Sequence, residues 1–330
     1  MKKSIYIGLL SLCTILFAGC GGRKQSVTTS GQEDSTAVPD FNADSALAHV
    51  FAQCHFGPRV VGSEAHNACG TFLIDKFRQY GFSVSAQDAE FVRYDGVKMN
   101  GYNIIAQLDP KASSRILIAA HWDSRPWADN DANPANYKTP IAGANDGASG
   151  IAVMLEVARL LQSQKPEIGI DFVCFDAEDA GTPRWAEKGG DDSDTWCLGS
   201  QFWSNNPHAT GFRFGILLDM VGGQGAHFYR EGFSMQYASE VVEQIWTAAQ
   251  NAGFGTYFKN ENGGYITDDH LPVNRIARIP MADIIAYYPT ADSGFGPTWH
   301  TVNDTPENID KNTMKAVGQT LLQLIYSLEK

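Results

Sequence analysis

Short apolar runs alternate with longer amphipathic stretches through most of the chain. Four runs have the length and density of buried strands: 115–120 (RILIAA), 168–175 (IGIDFVCF), 214–218 (FGILL) and 279–285 (IPMADII). Around them, residues 43–53, 63–80, 150–161, 238–252 and 314–328 repeat apolar positions every three or four residues, which predicts helices. Gly81 stands where the second of these would close on a left-handed cap. Strands alternating with helices predict an α/β sheet with helices on both faces. Residues 127–140 are polar and aperiodic, and read as an ordered surface loop. There is no internal repeat and no change of composition after Phe41, so residues 41–330 are expected to form one domain.

The first forty residues follow a different pattern. Lys2 and Lys3 precede an apolar stretch from Ile5 to Phe17, which ends in Ala18-Gly19-Cys20. That order predicts a secretory signal over residues 1–19. The cysteine after the small pair resembles a bacterial lipobox, with Cys20 lipidated after cleavage. Phe17 departs from the aliphatic residue commoner there, and a plain signal peptide is the alternative. Gly21 rather than Asp implies an outer-membrane anchor in a Gram-negative envelope, with the protein facing the periplasm. Residues 20–40, rich in Ser, Thr, Gly and Gln, read as the lipidated cysteine and a flexible tether.

Composition removes several classes. With 25 basic against 37 acidic residues, a net charge of −12, the chain lacks the cationic excess that neutralises phosphates, so no nucleic-acid partner is expected. Eighteen Phe, 12 Tyr and 7 Trp exclude intrinsic disorder. Six cysteines in 330 residues are too few for a disulfide scaffold, and the pairing of Cys54, Cys69, Cys174 and Cys197 stays open.

The candidate chemistry lies at the ends of the apolar runs. The first leads into His121-Trp122-Asp123, the second into Asp176-Ala177-Glu178-Asp179 and the third into Asp219. Open α/β sheets bind ligands at the carboxyl ends of their strands. Taken singly, each residue has an ordinary explanation. Asp146 could cap the helix predicted from Gly150; Glu178 and Asp179 could be solvated loop charge; His300, between Trp299 and Thr301, could be a packed core residue. Asp268, Asp269 and His270 complete the candidates. Mixed His and carboxylate ligands suit zinc, although their irregular spacing is a weak signal beside a compact helical motif.

In order along the chain, these segments resemble the zinc aminopeptidase (M28-like) superfamily, and within it the animal-type glutaminyl-peptide cyclotransferases, or glutaminyl cyclases. The matching pieces are Gly57-Pro-Arg59 with Gly62-Ser63, Ala120-His-Trp-Asp-Ser124, Gly143-Ala-Asn-Asp-Gly147 and Phe175-Asp-Ala-Glu-Asp179. Further along come Leu217-Leu-Asp-Met-Val-Gly222, Asp268-Asp-His-Leu-Pro272, and Trp299-His-Thr301 with Asp304 and Glu307-Asn-Ile-Asp310. The resemblance implies a single domain with a mixed, mostly parallel central sheet flanked by helices. It places zinc ligands at Asp146, Asp179 and His300, the general acid/base at Glu178, and supporting carboxylates at Asp219 and Asp268. Its aromatic pocket falls on Trp299, Phe295 and Trp185. Three departures stand out. Asp179 occupies a position where Glu is usual, the stretch before Trp185 is one residue longer, and Ala120 replaces the first cysteine of the disulfide beside the vertebrate metal site.

The implied reaction turns the N-terminal glutamine of a peptide or protein into pyroglutamate with release of ammonia, using one zinc. The alternative is a two-zinc aminopeptidase, with His121 and Asp219 holding a second ion bridged by Asp146. A third reading, further off, is a non-catalytic lipoprotein that binds peptide termini.

Overall fold

The computed structural model describes residues 37–291 and 293–328. The signal segment 1–19, Cys20 and the tether as far as residue 36 lie outside the described residues. The chain after them forms one compact unit from Val38 onward. It begins three residues before the expected boundary. The backbone of Pro39 accepts from Gln319 Nε2 at 3.1 Å, and Phe41 N–H donates to Gln319 Oε1 at 2.8 Å, so residues assigned to the tether are packed.

Helix α1 (Ala43–Cys54) starts at Asn42, whose side chain accepts from the N–H groups of Asp44 and Ser45. Helix α2 (Glu64–Gln79) is capped by Ser63 and followed by Gly81 at φ +85°, the expected left-handed position. Strands β1 (Ser83–Val92), β2 (Lys98–Gln107) and β3 (Arg115–His121) lead to helix α3 (Ala148–Ser163). Strand β4 (Gly169–Phe175), helix α4 (Leu198–Asn205) and strand β5 (Phe212–Asp219) come next. Then follow β6 (Phe228–Arg230), α5 (Gly232–Asn251), β7 (Phe258–Asn262), β8 (Met281–Ile285) and a last helix, α6 (Lys311–Ser327).

The main sheet has the order β1-β2-β4-β3-β5-β8. Four of its strands, β4-β3-β5-β8, run parallel as far as the β8 edge, while β1 and β2 form an antiparallel hairpin on the other edge. The four expected strands are the parallel ones, each buried on both faces, which is why they are dense in Ile, Leu and Val. The hairpin is an addition to the expected set. Strand β1 (SVSAQDAEFV) is exposed along most of its length, so it carries no dense apolar run.

Side chains alternate faithfully across the sheet. Ile116, Ile118, Ile170, Phe172, Ile216 and Ile284 pack beneath the larger helical layer. Leu117, Ala119, Val173, Leu217 and Met281 face Trp203 of α4 and Val273 on the other side. Helices therefore cover both faces. Helix α3 lies directly on the sheet: a Cβ added at Gly150 would sit 2.3 Å from the carbonyl oxygen of Leu218. This helix begins at Ala148, two residues earlier than its pattern suggests, after Gly147 at φ +99°.

Candidate metal and catalytic centre

The central parallel strands end in polar residues on one side of the sheet. His121 closes β3, Asp219 closes β5, and β4 runs into a turn from Asp176 to Asp179. Ala177 takes φ +54°, which turns Glu178 and Asp179 back over the strand ends. A single buried carboxylate holds that turn: Glu178 N–H donates to Asp123 Oδ1 and Asp179 N–H to Asp123 Oδ2, both at 3.2 Å. The same device recurs across the site. Asn145 N–H and Asp146 N–H donate to the two oxygens of Asp304 at 2.8 and 3.1 Å. Burial pushes the Asp304 carboxyl up to about 7. Asp304 entered the sequence argument only as part of a motif; a pair of N–H groups 159 and 158 residues away leaves no local signal.

Asp146, Asp179 and His300 converge. His300 Nε2 lies 3.2 Å from Asp179 Oδ1 and 3.4 Å from Asp146 Oδ2. All three are buried, and Asp146 Oδ2 and Asp179 Oδ2 have no hydrogen-bond partner. Orphaned carboxylate oxygens beside an imidazole nitrogen are costly without a cation, and two carboxylates plus one imidazole suit zinc. The residues therefore fit a metal. Asp179, a methylene shorter than the Glu that the resemblance implies, still reaches to 3.2 Å of His300 Nε2.

A second group shares Asp146. His121 Nε2 lies 3.1 Å from Asp146 Oδ1 and 3.2 Å from Asp219 Oδ1. Burial alone would lower the His121 pKa, but hydrogen bonds to Asp123, Asp146 and Asp219 outweigh it and raise it well above the usual value. Asp146 is not the helix cap considered from the sequence; Gly147 is, and the Asp146 side chain is turned into the site.

Glu178 stands beside this cluster. Burial, then the charge of Asp179, push its carboxyl well above the ordinary range, and Asp268 adds to the effect. Asp268 is raised by burial and by Asp219 in the same way. The Cys197 thiol donates to Glu178 Oε1 at 3.4 Å, a contact not anticipated from the sequence. Asp269 is buried and its carboxyl is lifted to about 7. His270 points elsewhere, with Nε2 3.1 Å from Glu231 Oε2, so it does not join the group around His300.

A cavity of about 550 Å³ opens over Asp146, Glu178, Asp179, Asp219, Asp268 and His300. The Trp299 ring stacks on His300 with centroids 3.9 Å apart, and Phe295 packs on Trp299 at 4.6 Å. Both line the cavity as expected. Trp185 does not. It is 43% exposed and leans on Trp127 at 5.8 Å, outside this cavity. Trp196 takes its place in the wall, its ring parallel to that of His300. Trp196 lies eleven residues further along the chain than Trp185, a difference that motif spacing alone does not reveal. Cys54, Cys69, Cys174 and Cys197 are all free thiols.

The family model described as Peptidase family M28 matches residues 103–325. A solved structure from Bacteroides thetaiotaomicron, described as a glutaminyl cyclase, is 51% identical. It superposes with a TM-score of 0.85, covering 88% of this chain and 99% of that one. Another structure from the same species, described as a leucine aminopeptidase precursor, is also 51% identical, with a TM-score of 0.84 and coverage of 88% and 98%. The glutaminyl-peptide cyclotransferase of Bos taurus is 27% identical over 253 residues, 66% of this chain. The match spans 64% of that relative, less than two thirds of its length.

Proposed function

This chain belongs to peptidase family M28, and from that premise we propose that it is a glutaminyl-peptide cyclotransferase working with a single catalytic zinc. Its substrates are peptides or proteins that begin with glutamine. The observation that carries this reading is the aromatic wall, Phe295 on Trp299 on His300, standing directly over the metal group. Such a wall suits a cyclisation in which the attacking amine belongs to the substrate and water is unwanted.

Zinc held by Asp146, Asp179 and His300 would supply Lewis acidity toward the γ-amide oxygen of glutamine. Glu178 takes a proton from the substrate's α-amine as that nitrogen bonds to the carbonyl carbon (Cδ) of the side-chain amide. The bond from that carbonyl carbon to the amide nitrogen then breaks, and Glu178 returns the proton to the departing ammonia. Burial and the charge of Asp179 raise its carboxyl above the ordinary range, which favours its holding the proton between the two transfers. Burial and the neighbouring Asp219 raise the Asp268 carboxyl well above the ordinary range, which favours a proton on Asp268 beside Glu178. Trp299 orients the glutamine side chain and excludes water.

The group His121–Asp146–Asp219 favours a second reading, a two-zinc aminopeptidase that activates water instead. Assaying Gln-leading and Leu-leading peptides side by side, with metal analysis, separates the two. Pyroglutamate and ammonia from the first and one zinc per chain are expected; release of leucine with two zincs would overturn the cyclase.

The address at the N-terminus supports a further part of the proposal. Lys2-Lys3, the apolar stretch and Cys20 are consistent with lipid anchoring, at the outer membrane facing the periplasm. Among the described residues no helix is long and apolar enough to cross a membrane. Cys20→Ala should release the protein from the membrane fraction; unchanged membrane association would refute the anchor.

A further inference from the structure

His300 would bind the metal through Nε2, which requires its proton on Nδ1 and an acceptor to hold that proton. The nearest carboxylate to Nδ1 is not one of the ligands. Asp129 Oδ1 lies 3.5 Å from His300 Nδ1, and Asp129 is buried. It comes from the loop that follows β3, whose sequence reads as a polar surface segment.

Asp129 is itself fixed. Arg125 closes on it as a fork, Nε to Oδ1 at 2.8 Å and Nη2 to Oδ2 at 2.7 Å, and Arg184 N–H donates to Oδ2 at 3.0 Å. Although burial works against ionisation, the Arg125 guanidinium holds the Asp129 carboxyl below its ordinary range. The same arginine donates through Nη1 to the carbonyl of Asp179 at 3.0 Å. One buried guanidinium therefore ties the loop carboxylate to a second metal-binding residue.

The loop also grips His300 through the backbone. His300 sits at φ +52°, a left-handed conformation that an ordinary residue keeps only when its surroundings enforce it. Asn130 N–H donates to the His300 carbonyl at 3.0 Å, and Asn130 Nδ2 to the Trp299 carbonyl at 3.3 Å. Asp131 Oδ2 accepts from Val302 N–H at 3.1 Å.

We propose that Asp129, presented by Arg125, is a positioning residue for the metal centre: it accepts the Nδ1 proton of His300 and so presents Nε2 to the ion. The proposal rests on Asp146, Asp179 and His300 being the metal ligands. An outer carboxylate of this kind makes the imidazole more basic and fixes its tautomer and tilt, and its loss typically weakens metal binding about 10- to 100-fold.

The test is zinc affinity of the full chain, measured by competition with a chelator and independent of turnover. Asp129→Ala should bind zinc about 10- to 100-fold more weakly than the parent. Asp129→Asn, whose amide oxygen still accepts the Nδ1 proton, should recover part of that loss. If Asp129→Ala does not fold, Asp129→Asn carries the measurement, and at least a roughly threefold weakening is expected. Asp131→Asn loosens the same loop without touching His300 and should stay within about threefold of the parent. Parental affinity in Asp129→Asn and Asp129→Ala, or an equal loss in Asp131→Asn, would overturn the proposal. A parent that binds no zinc would instead overturn the metal reading on which it stands.

Discussion

Replacing Glu178 by Gln isolates proton transfer from everything else this residue does. Its backbone N–H donates to Asp123 at 3.2 Å and its carbonyl accepts from Cys197 N–H at 3.0 Å; neither depends on the side-chain charge. The amide oxygen can keep the Cys197 thiol contact now made at 3.4 Å. Glu178 is not one of the three residues that converge on the His300 metal group, so zinc content should hold at the parental level. Burial together with Asp179 and Asp268 opposes a charge at this position, so a neutral amide should leave the fold at least as stable. What disappears is the ability to take a proton from the amine and give it to ammonia. Positioned acid/base catalysis is worth roughly two to four orders of magnitude, or about 3 to 5 kcal/mol of barrier. The assay is steady-state ammonia release from a Gln-leading peptide, with zinc content and thermal unfolding measured on the same sample. Turnover within about tenfold of the parent, with zinc bound, would refute Glu178 as the proton carrier. A large loss accompanied by loss of zinc would refute the argument that it acts apart from the metal group.

Asp304→Ala leaves two buried N–H groups, of Asn145 and Asp146, without their acceptor. Urea unfolding should show a loss of about 1–3 kcal/mol or more, and parental stability would show that the clamp is idle. Gly150→Ala places a Cβ 2.3 Å from the Leu218 carbonyl oxygen, so α3 must lift from β5. A loss of about 1–3 kcal/mol is expected, and an unchanged melting temperature would contradict this packing. His49 is lowered from 6.5 to about 4, by burial first and then by Lys76. Above 6.5 both folded and unfolded forms are neutral; as pH falls toward 4 only the unfolded chain takes up the proton, and stability drops. Across that window, from 6.5 to about 4, the parent should lose roughly 3 kcal/mol more than His49→Gln. Parallel stability curves would exclude His49 as the source.

Some of this protein is written locally. The four parallel strands could be read because a strand buried on both faces is apolar at nearly every position, and that signature needs no knowledge of its neighbours. Helices α1 and α2 announced themselves through apolar positions three or four residues apart, and α2 also through Gly81, whose effect reaches only a few residues. Asp179 stood out at the end of an apolar run, whereas Asp146 and His300 were reached only through the family pattern that their neighbours resemble. Other features are not local. The β1–β2 hairpin lies on a sheet edge, where one-sided exposure erases the apolar run. Trp196, not Trp185, lines the cavity because the fold of the loop after Asp179 decides which indole turns inward. Asp129 lies in a segment that reads as a polar surface loop, and Asp304 entered only as part of a motif. Only the packed chain brings them to the backbone or ring of residues more than 150 positions away. Periodicity and capping report what a segment does with its own hydrogen bonds and faces. The clamps that hold a metal group in place are made between segments, and only the tertiary structure brings those together.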